Sequence, residues 1–176
     1  MPLHITLLIH LSVSYLCLSD SSLDGILDRG EAYSREGRDR EALYEYLSAL
    51  RVDPTNAFAM QGAASSLVSL GQFIEAGEYF EQMALLSSMS EHRPHLLLNA
   101  GMAYHRGGGI HRATDVYTSC VSGAPAYKPC HIKLAELYNR RGAYDMVQKH
   151  MQIALAIDPT DFECYIHLGD VYNNLK

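Results

Sequence analysis

The sequence lacks several features by which common functional classes are recognised. No run of five like charges occurs, and 14 Lys and Arg against 20 Asp and Glu give a formal net charge of -6. Proteins that bind nucleic acid by neutralising phosphates need the opposite balance, so the composition disfavours that class. No stretch reaches the roughly 18 consecutive apolar residues of a membrane-spanning helix. With 176 residues, 48% of them hydrophobic, the chain can still bury a sizeable core.

Catalytic motifs are missing as well. There is no Gly-x-Ser-x-Gly, no His-Glu-x-x-His, no Gly-x-x-x-x-Gly-Lys-Ser/Thr, and no glycine-rich dinucleotide loop between a strand and a helix. The nine His residues show neither paired i, i+4 spacing nor a companion Cys cluster, which argues against a metal site. We therefore expect no enzyme activity, no cofactor and no metal.

Cysteine is scarce and irregularly spaced. Cys17, Cys120, Cys130 and Cys164 include no Cys-x-x-Cys pair, so the expectation is reduced thiols in a cytoplasmic protein. Cys130 and Cys164 are 34 residues apart, at equivalent positions of an internal repeat. Neighbouring packed helices are roughly 8 to 10 Å apart, which exceeds the reach of a disulfide. Cys120 is predicted to pack in the core.

The first 19 residues allow two interpretations. Residues 3–18 form the one strongly apolar stretch, and small residues come directly after it, as in a secretory signal peptide. However, no Lys or Arg precedes Arg29, and polar residues interrupt the stretch. The segment is therefore either a cleaved signal peptide, which would make the protein secreted, or a helix that covers the apolar end of the rest of the chain.

The chain does contain an internal repeat. Small residues recur at Gly30, Ala64, Gly101, Ala135 and Gly169, with separations of 34, 37, 34 and 34 residues. A Gly lies seven residues after each of the first four. Three further columns of small or large apolar residues lie 12, 16 and 19 residues after the small residue, and in the first unit they hold Ala42, Tyr46 and Ala49. Each unit thus predicts two helices, A and B, joined at a Gly.

These columns resemble the tetratricopeptide repeat, a 34-residue helix-turn-helix unit. The resemblance covers four complete repeats and the first helix of a fifth, at 23–56, 57–90, 94–127, 128–161 and 162–175. It implies an all-α fold, a right-handed α-solenoid in which each repeat buries its apolar face against its neighbours. Helix A is expected to end at the Gly, and helix B at Asp53-Pro54 or Asp158-Pro159.

The resemblance also implies where a partner would bind. In this family helix A lines the concave wall, so we predict a groove that takes a peptide or helix of a partner protein between acidic and basic rows. The candidate groove residues are Leu27, Glu31, Arg35, Leu98, Asn99, Arg106, Ile132, Lys133, Glu136, Arg140 and Ile166. The alternative is that the apolar row packs against adjacent helices, and that Glu31 with Arg35, or Glu136 with Arg140, pairs within one helix.

The sequence argues against one class of partner and does not identify another. Co-chaperones of this family hold chaperone C-terminal tails with Lys, Asn and Arg residues, and the corresponding positions here carry Gln61, Ser65, Asn99, Pro129 and Lys133. Only Asn99 matches, so a chaperone tail is not the expected ligand. The fifth repeat has only helix A, so we expect a longer array or pairing of this end with another molecule, including self-association. The predicted function is a non-enzymatic interaction scaffold, with a secreted or membrane-associated accessory protein as the alternative.

Overall fold

The computed structural model describes residues 22–87 and 91–174, and within these ranges every regular element is an α-helix. Nine helices are described: α1 Leu23–Arg35, α2 Asp39–Val52, α3 Ala57–Ser69, α4 Phe73–Leu86, α5 Arg93–Arg106, α6 Ile110–Gly123, α7 Lys128–Arg140, α8 Tyr144–Ile157 and α9 Phe162–Asn174. The predicted all-α class is confirmed. None of these helices is both long enough and apolar enough to cross a membrane. The predicted leader, residues 1–19, lies outside the described residues.

The helices fall into two compact units, and each is described by itself. The first unit ends at Gln72 and contains α1 to α3, and the second begins at Phe73 and contains α4 to α9. Within each unit every helix packs against the next one along the chain, which is how helices stack in an α-solenoid. The boundary between the units falls between the two helices of the predicted repeat 57–90.

Short turns with one left-handed glycine join helix A to helix B. Gly37, which comes after α1, has a φ of 72°, a backbone conformation that strongly favours glycine. The N–H groups of Gly37 and Arg38 donate to the carbonyl oxygens of Ser34 and Tyr33, at 3.1 and 2.9 Å, and so satisfy the end of the helix. The equivalent residues after α3, α5 and α7 share this conformation: Gly71, Gly108 and Gly142. The predicted role of these glycines is confirmed.

Helix B ends at an aspartate that precedes a proline. Asp53 lies directly after α2 and Asp158 directly after α8, and both have extended backbone, with φ values of -131° and -136°. Proline pushes the residue before it out of the helical region. The aspartate side chains then accept the backbone N–H of Thr55 at 3.0 Å and of Thr160 at 3.1 Å, which stabilises each turn. These predicted helix ends are confirmed.

The core of the first unit is built around Tyr46 of α2. Its buried ring lies against the backbone of Gly30 in α1 and of Gly62 in α3. A Cβ atom would approach the ring to 2.9 Å at Gly30 and to 2.4 Å at Gly62, so a side chain at either position would displace the tyrosine. Small residues in the A helices therefore let the aromatic residue of helix B fill the space between them.

In the second unit Tyr117 of α6 packs in the same way, whereas Tyr104 of α5 packs against Gly77 of α4. Tyr117 is fully buried, and a Cβ at Gly101 would lie 2.3 Å from its ring. The Tyr104 hydroxyl donates to Oε2 of Glu81 on α4 at 2.9 Å, and Arg112 on α6 donates to the same oxygen at 3.0 Å. This shared carboxylate links α4, α5 and α6.

The helix B columns predicted from the repeat form the buried face of each B helix. Met83 is half-buried and is the exception. The buried members are Ala42, Tyr46, Ala49, Ala76, Phe80, Ala113, Tyr117, Cys120, Val147, Met151 and Ala154. The repeat register is therefore the register of the core.

The expectation of reduced thiols is wrong for two cysteines. Cys120 near the end of α6 and Cys130 in the first turn of α7 form a buried disulfide, with Cα atoms 6.3 Å apart. It joins helix B of one repeat to helix A of the next, across the short turn between them. The argument from repeat spacing concerned only the distance between Cys130 and Cys164, which occupy equivalent positions of neighbouring repeats. Cys164 is free and buried.

Candidate functional site

The predicted groove residues divide between the two units. Leu27, Glu31 and Arg35 lie on α1 of the first unit. The other eight lie on α5, α7 and α9 of the second unit, and we call these eight residues the A-helix surface: Leu98, Asn99, Arg106, Ile132, Lys133, Glu136, Arg140 and Ile166.

On α1 the candidate side chains interact within the fold. Nη2 of Arg35 lies 2.7 Å from Oε1 of Glu31, one helical turn away. Leu27 packs against the buried cluster that includes Ile26 and Ala49. These contacts are those of the local alternative, in which the charges pair along one helix and the apolar residue packs beside its neighbours.

Charged groups of α5 and α7 act on one another in the second unit. Burial lowers the pKa of His105 on α5, and the positive charge of Arg140 on α7 lowers it further. The negative charge of Glu136 raises the pKa of His105, and the positive charge of Lys133 lowers it. The neutral form of His105 is therefore favoured relative to that of an exposed histidine.

Glu136 pairs with a different cation from the predicted one. Nζ of Lys133 donates to Oε1 of Glu136 at 2.7 Å, and the Glu136 side chain is only 23% exposed. The predicted pair of Glu136 with Arg140 does not form. Arg140 is exposed and makes no hydrogen bond or ion pair with the residues that the structure describes. Its guanidinium is therefore available to an external group.

Arg106, another predicted cation of this surface, already has a contact. Its guanidinium carbon lies 4.4 Å from the centroid of the Phe73 ring at the start of α4, which is a cation–π distance. A charge reversal at Arg106 would remove this contact together with any contact to a partner. Asn99 on the same helix is exposed. Arg140 is therefore the cleaner residue for testing the surface.

The apolar members of the A-helix surface differ in exposure. Leu98 and Ile132 are half-buried, and Ile132 packs against the core cluster of α7, α8 and α9. Ile166 on α9 is 48% exposed, and Met102, one turn after Leu98 on α5, is 41% exposed. Exposed apolar side chains thus lie on α5 and α9, the A helices that come before and after α7 along the chain.

One cluster on this surface was not predicted from the sequence. Glu136 on α7, and Glu163 and His167 on α9, bring a carboxylate oxygen or ring nitrogen each to within 4.8 Å of one another. Glu163 and His167 are four residues apart and so share one face of α9. The sequence criteria for metal ligands covered only pairs of His and clusters with Cys. A Glu-x-x-x-His spacing within a predicted helix A is the signal that identifies this pair.

Comparisons with known proteins concern the fold. No family model and no curated protein matches the sequence. Among solved structures, MamA protein has a TM-score of 0.72 at 19% identity, covering 88% of this chain and 82% of that one. YrrB, described as a TPR protein with an unusual peptide-binding site, has a TM-score of 0.67 at 16% identity, covering 92% and 82%. A tetratricopeptide repeat protein from Parabacteroides merdae has a TM-score of 0.64 at 21% identity, covering 85% and 57%.

Proposed function

The chain has the tetratricopeptide-repeat fold, and from this premise we propose that it is a non-enzymatic scaffold whose A-helix surface binds a peptide or helix of a partner protein. The observation that carries the proposal is Arg140. Arg140 is exposed and has no ion pair within the part of the chain that the structure describes, and the A helices before and after its own present exposed apolar residues. Such an arginine is a typical anchor of a protein interface.

The surface indicates the chemistry of the partner. Arg140 fits an acidic side chain or a terminal carboxylate, because guanidinium groups bind carboxylates through two parallel hydrogen bonds. Met102 on α5 and Ile166 on α9 are exposed and fit apolar side chains of the same partner. A solved structure of the same fold, YrrB, is described as having a peptide-binding site, which supports a peptide as the ligand.

A selection from a random peptide library displayed on phage tests the proposal, because it does not require the partner to be identified. Peptides are selected on the wild-type protein, synthesised, and their affinities are measured for Arg140→Glu and for Lys149→Glu. Lys149 is exposed on helix B (α8), so Lys149→Glu makes the same charge change at a position away from the A-helix surface. We expect Arg140→Glu to weaken binding at least about tenfold, because a repulsive charge replaces a paired one. Equal affinities for the two variants would contradict the proposal.

The Cys120–Cys130 disulfide favours the alternative location over the cytoplasm. Structural disulfides persist in oxidising compartments and are rare in the cytosol. We therefore propose that the scaffold works as a secreted accessory protein, with residues 1–19 as its signal peptide. Mass spectrometry of the protein from cells that produce it should find an N-terminus near Asp20 and a cross-linked peptide containing both cysteines. An N-terminus at Met1 together with free thiols at Cys120 and Cys130 would refute this location.

A further inference from the structure

The cluster of Glu136, Glu163 and His167 has the donor set of a zinc site. Zn²⁺ binds carboxylate oxygens and imidazole nitrogens at about 2.0 to 2.2 Å, so ligand atoms at tetrahedral corners stand roughly 3.4 Å apart. The three donor atoms here already lie within 4.8 Å of one another. Glu163 is exposed, so its side chain can rotate towards the other two donors without movement of the helices.

The histidine separates this cluster from an ordinary acidic patch. Magnesium and calcium are bound by oxygen ligands, whereas an imidazole nitrogen favours zinc, nickel and copper. His167 lies four residues after Glu163, so its ring nitrogen and the Glu163 carboxylate lie on the same face of α9. Three protein ligands leave a coordination position open to water or to an atom of a partner.

One ligand is held in place before an ion arrives. Glu136 is three-quarters buried, and Lys133 donates to its Oε1 at 2.7 Å. This contact orients the carboxylate of α7 and engages one of its two oxygens. The same contact has an opposing effect, because the ammonium charge of Lys133 repels a cation bound beside it.

The side of α9 that carries Gly169 is open. A Cβ at Gly169 would meet nothing within 4 Å, whereas a Cβ at the equivalent Gly101 would meet the ring of Tyr117. Tyr165 and Tyr172 of α9 are exposed. An ion shared by Glu136 and the two ligands of α9 would add a link between α9 and α7 on the other side of the helix.

We propose that Glu136, Glu163 and His167 bind one divalent transition-metal ion of the zinc class, and that the ion fixes α9 against α7. The proposal stands on the geometry of the cluster and does not depend on the identity of a peptide partner.

Zinc titration of the full-length protein tests the site. The protein carries no polyhistidine tag, thiol reductants are left out because they bind zinc and open the disulfide, and calorimetry with Zn²⁺ is compared with Mg²⁺. We expect saturable binding of one zinc ion per chain and no saturable binding of magnesium. Absence of saturable zinc binding, or equal binding of the two ions, would overturn the proposal.

Matched variants assign the binding to this cluster. His167→Ala and Glu163→Gln should each weaken zinc binding at least about tenfold, since even second-layer partners of metal ligands contribute that much. The controls His111→Ala and Glu75→Gln change exposed residues of the same types on α6 and α4 and should leave the affinity unchanged. Lys133→Ala should tighten zinc binding several-fold. Zinc binding that survives His167→Ala undiminished would place the ion elsewhere and would refute the site.

Hydrogen exchange gives a readout that does not depend on the heat of binding. Saturating zinc should slow exchange of the α9 amides in the wild-type protein and leave them unchanged in Glu163→Gln. Circular dichroism of each variant shows whether it is folded, and since Glu163 is exposed its replacement should preserve the helical spectrum. Equal protection of α9 in the wild-type protein and in Glu163→Gln would contradict the proposed link.

Discussion

His131 of α7 and His150 of α8 face each other in the core of the second unit, with their Nδ1 atoms 3.0 Å apart. Both rings are buried. Nε2 of His131 lies 2.9 Å from the carbonyl oxygen of Pro125 and therefore donates to it. A neutral His131 then has only a lone pair at Nδ1, so the N–H at this contact belongs to His150. The Nδ1 contact excludes two charged rings, because two N–H groups would then face each other.

The histidine pair predicts a loss of stability in mild acid. Burial lowers the pKa of His150 to about 4, and the charges of His131 and Lys149 contribute in the same direction. In the unfolded chain the pKa is about 6.5, so the unfolded state takes up the proton first. This contribution to stability is complete above about pH 6.5 and is lost as the pH falls towards about 4. The loss amounts to about 3 kcal/mol, measurable by urea denaturation at a series of pH values.

Two variants separate this pair from other titrating groups. His150→Phe keeps a ring stacked on Tyr138 but removes the titration, and it should flatten the fall of stability with pH. His111→Ala removes an exposed histidine and should leave the pH dependence of the wild-type protein intact. The same pH dependence in His150→Phe and in the wild-type protein would show that the buried pair is not its source.

A pair of glycine substitutions tests the packing of the repeat. Gly101→Ala places a methyl group 2.3 Å from the Tyr117 ring and should lower the free energy of unfolding by about 1 to 3 kcal/mol. Gly169→Ala, at the equivalent position of α9, meets nothing within 4 Å and should raise it by up to about 1 kcal/mol, because alanine favours the helix. Chemical denaturation measures both. Effects of the same sign and size would be inconsistent with the described contacts.

Reduction of the disulfide should destabilise the second unit. The Cys120–Cys130 bond closes a loop with a sequence separation of 10 residues, and its loss should lower the free energy of unfolding by about 2 to 3 kcal/mol. Thermal unfolding with and without a reductant measures the change. Cys164→Ala should retain the full sensitivity to reductant, whereas Cys120→Ala should lose it. If a reductant still destabilised Cys120→Ala, the sensitivity to reductant would not come from the Cys120–Cys130 bond.

Removal of the Tyr117 hydroxyl should leave the protein at least as stable as before. This hydroxyl is buried and has no hydrogen-bond partner among the residues that the structure describes. Its desolvation therefore costs free energy that no bond offsets, and Tyr117→Phe keeps the ring against Gly101. Urea denaturation should show a midpoint equal to or above that of the wild-type protein. A loss of more than about 1 kcal/mol would reveal a hydrogen bond that the structure does not show.

Much of the fold was predictable because the same sequence signals for helices and turns recur in each repeat. The turn at Gly37 and the contact of Tyr117 with Gly101 both arise from columns that recur along the sequence. Such features depend on residues close in sequence or on the next helix. A single occurrence would have been ambiguous, but the recurrence at constant spacing fixes the register.

The features that were not predicted depend on side-chain rotamers or on side chains that approach one another between repeats. The Cys120–Cys130 bond depends on how close one turn brings α6 and α7, a distance that the repeat spacing does not determine. Glu136 lies within reach of both Lys133 and Arg140 along its helix, and the sequence cannot say which rotamer it adopts. Its approach to His167 depends on the packing of α9 beside α7.

The central claim is that the A-helix surface binds the partner, and a footprint of a bound peptide tests it most directly. Hydrogen–deuterium exchange is measured with and without a saturating peptide selected on the wild-type protein. We predict slower exchange on α5, α7 and α9, centred near Arg140, with no change on the exposed faces of α6 and α8. Protection confined to α6 and α8 would contradict the claim.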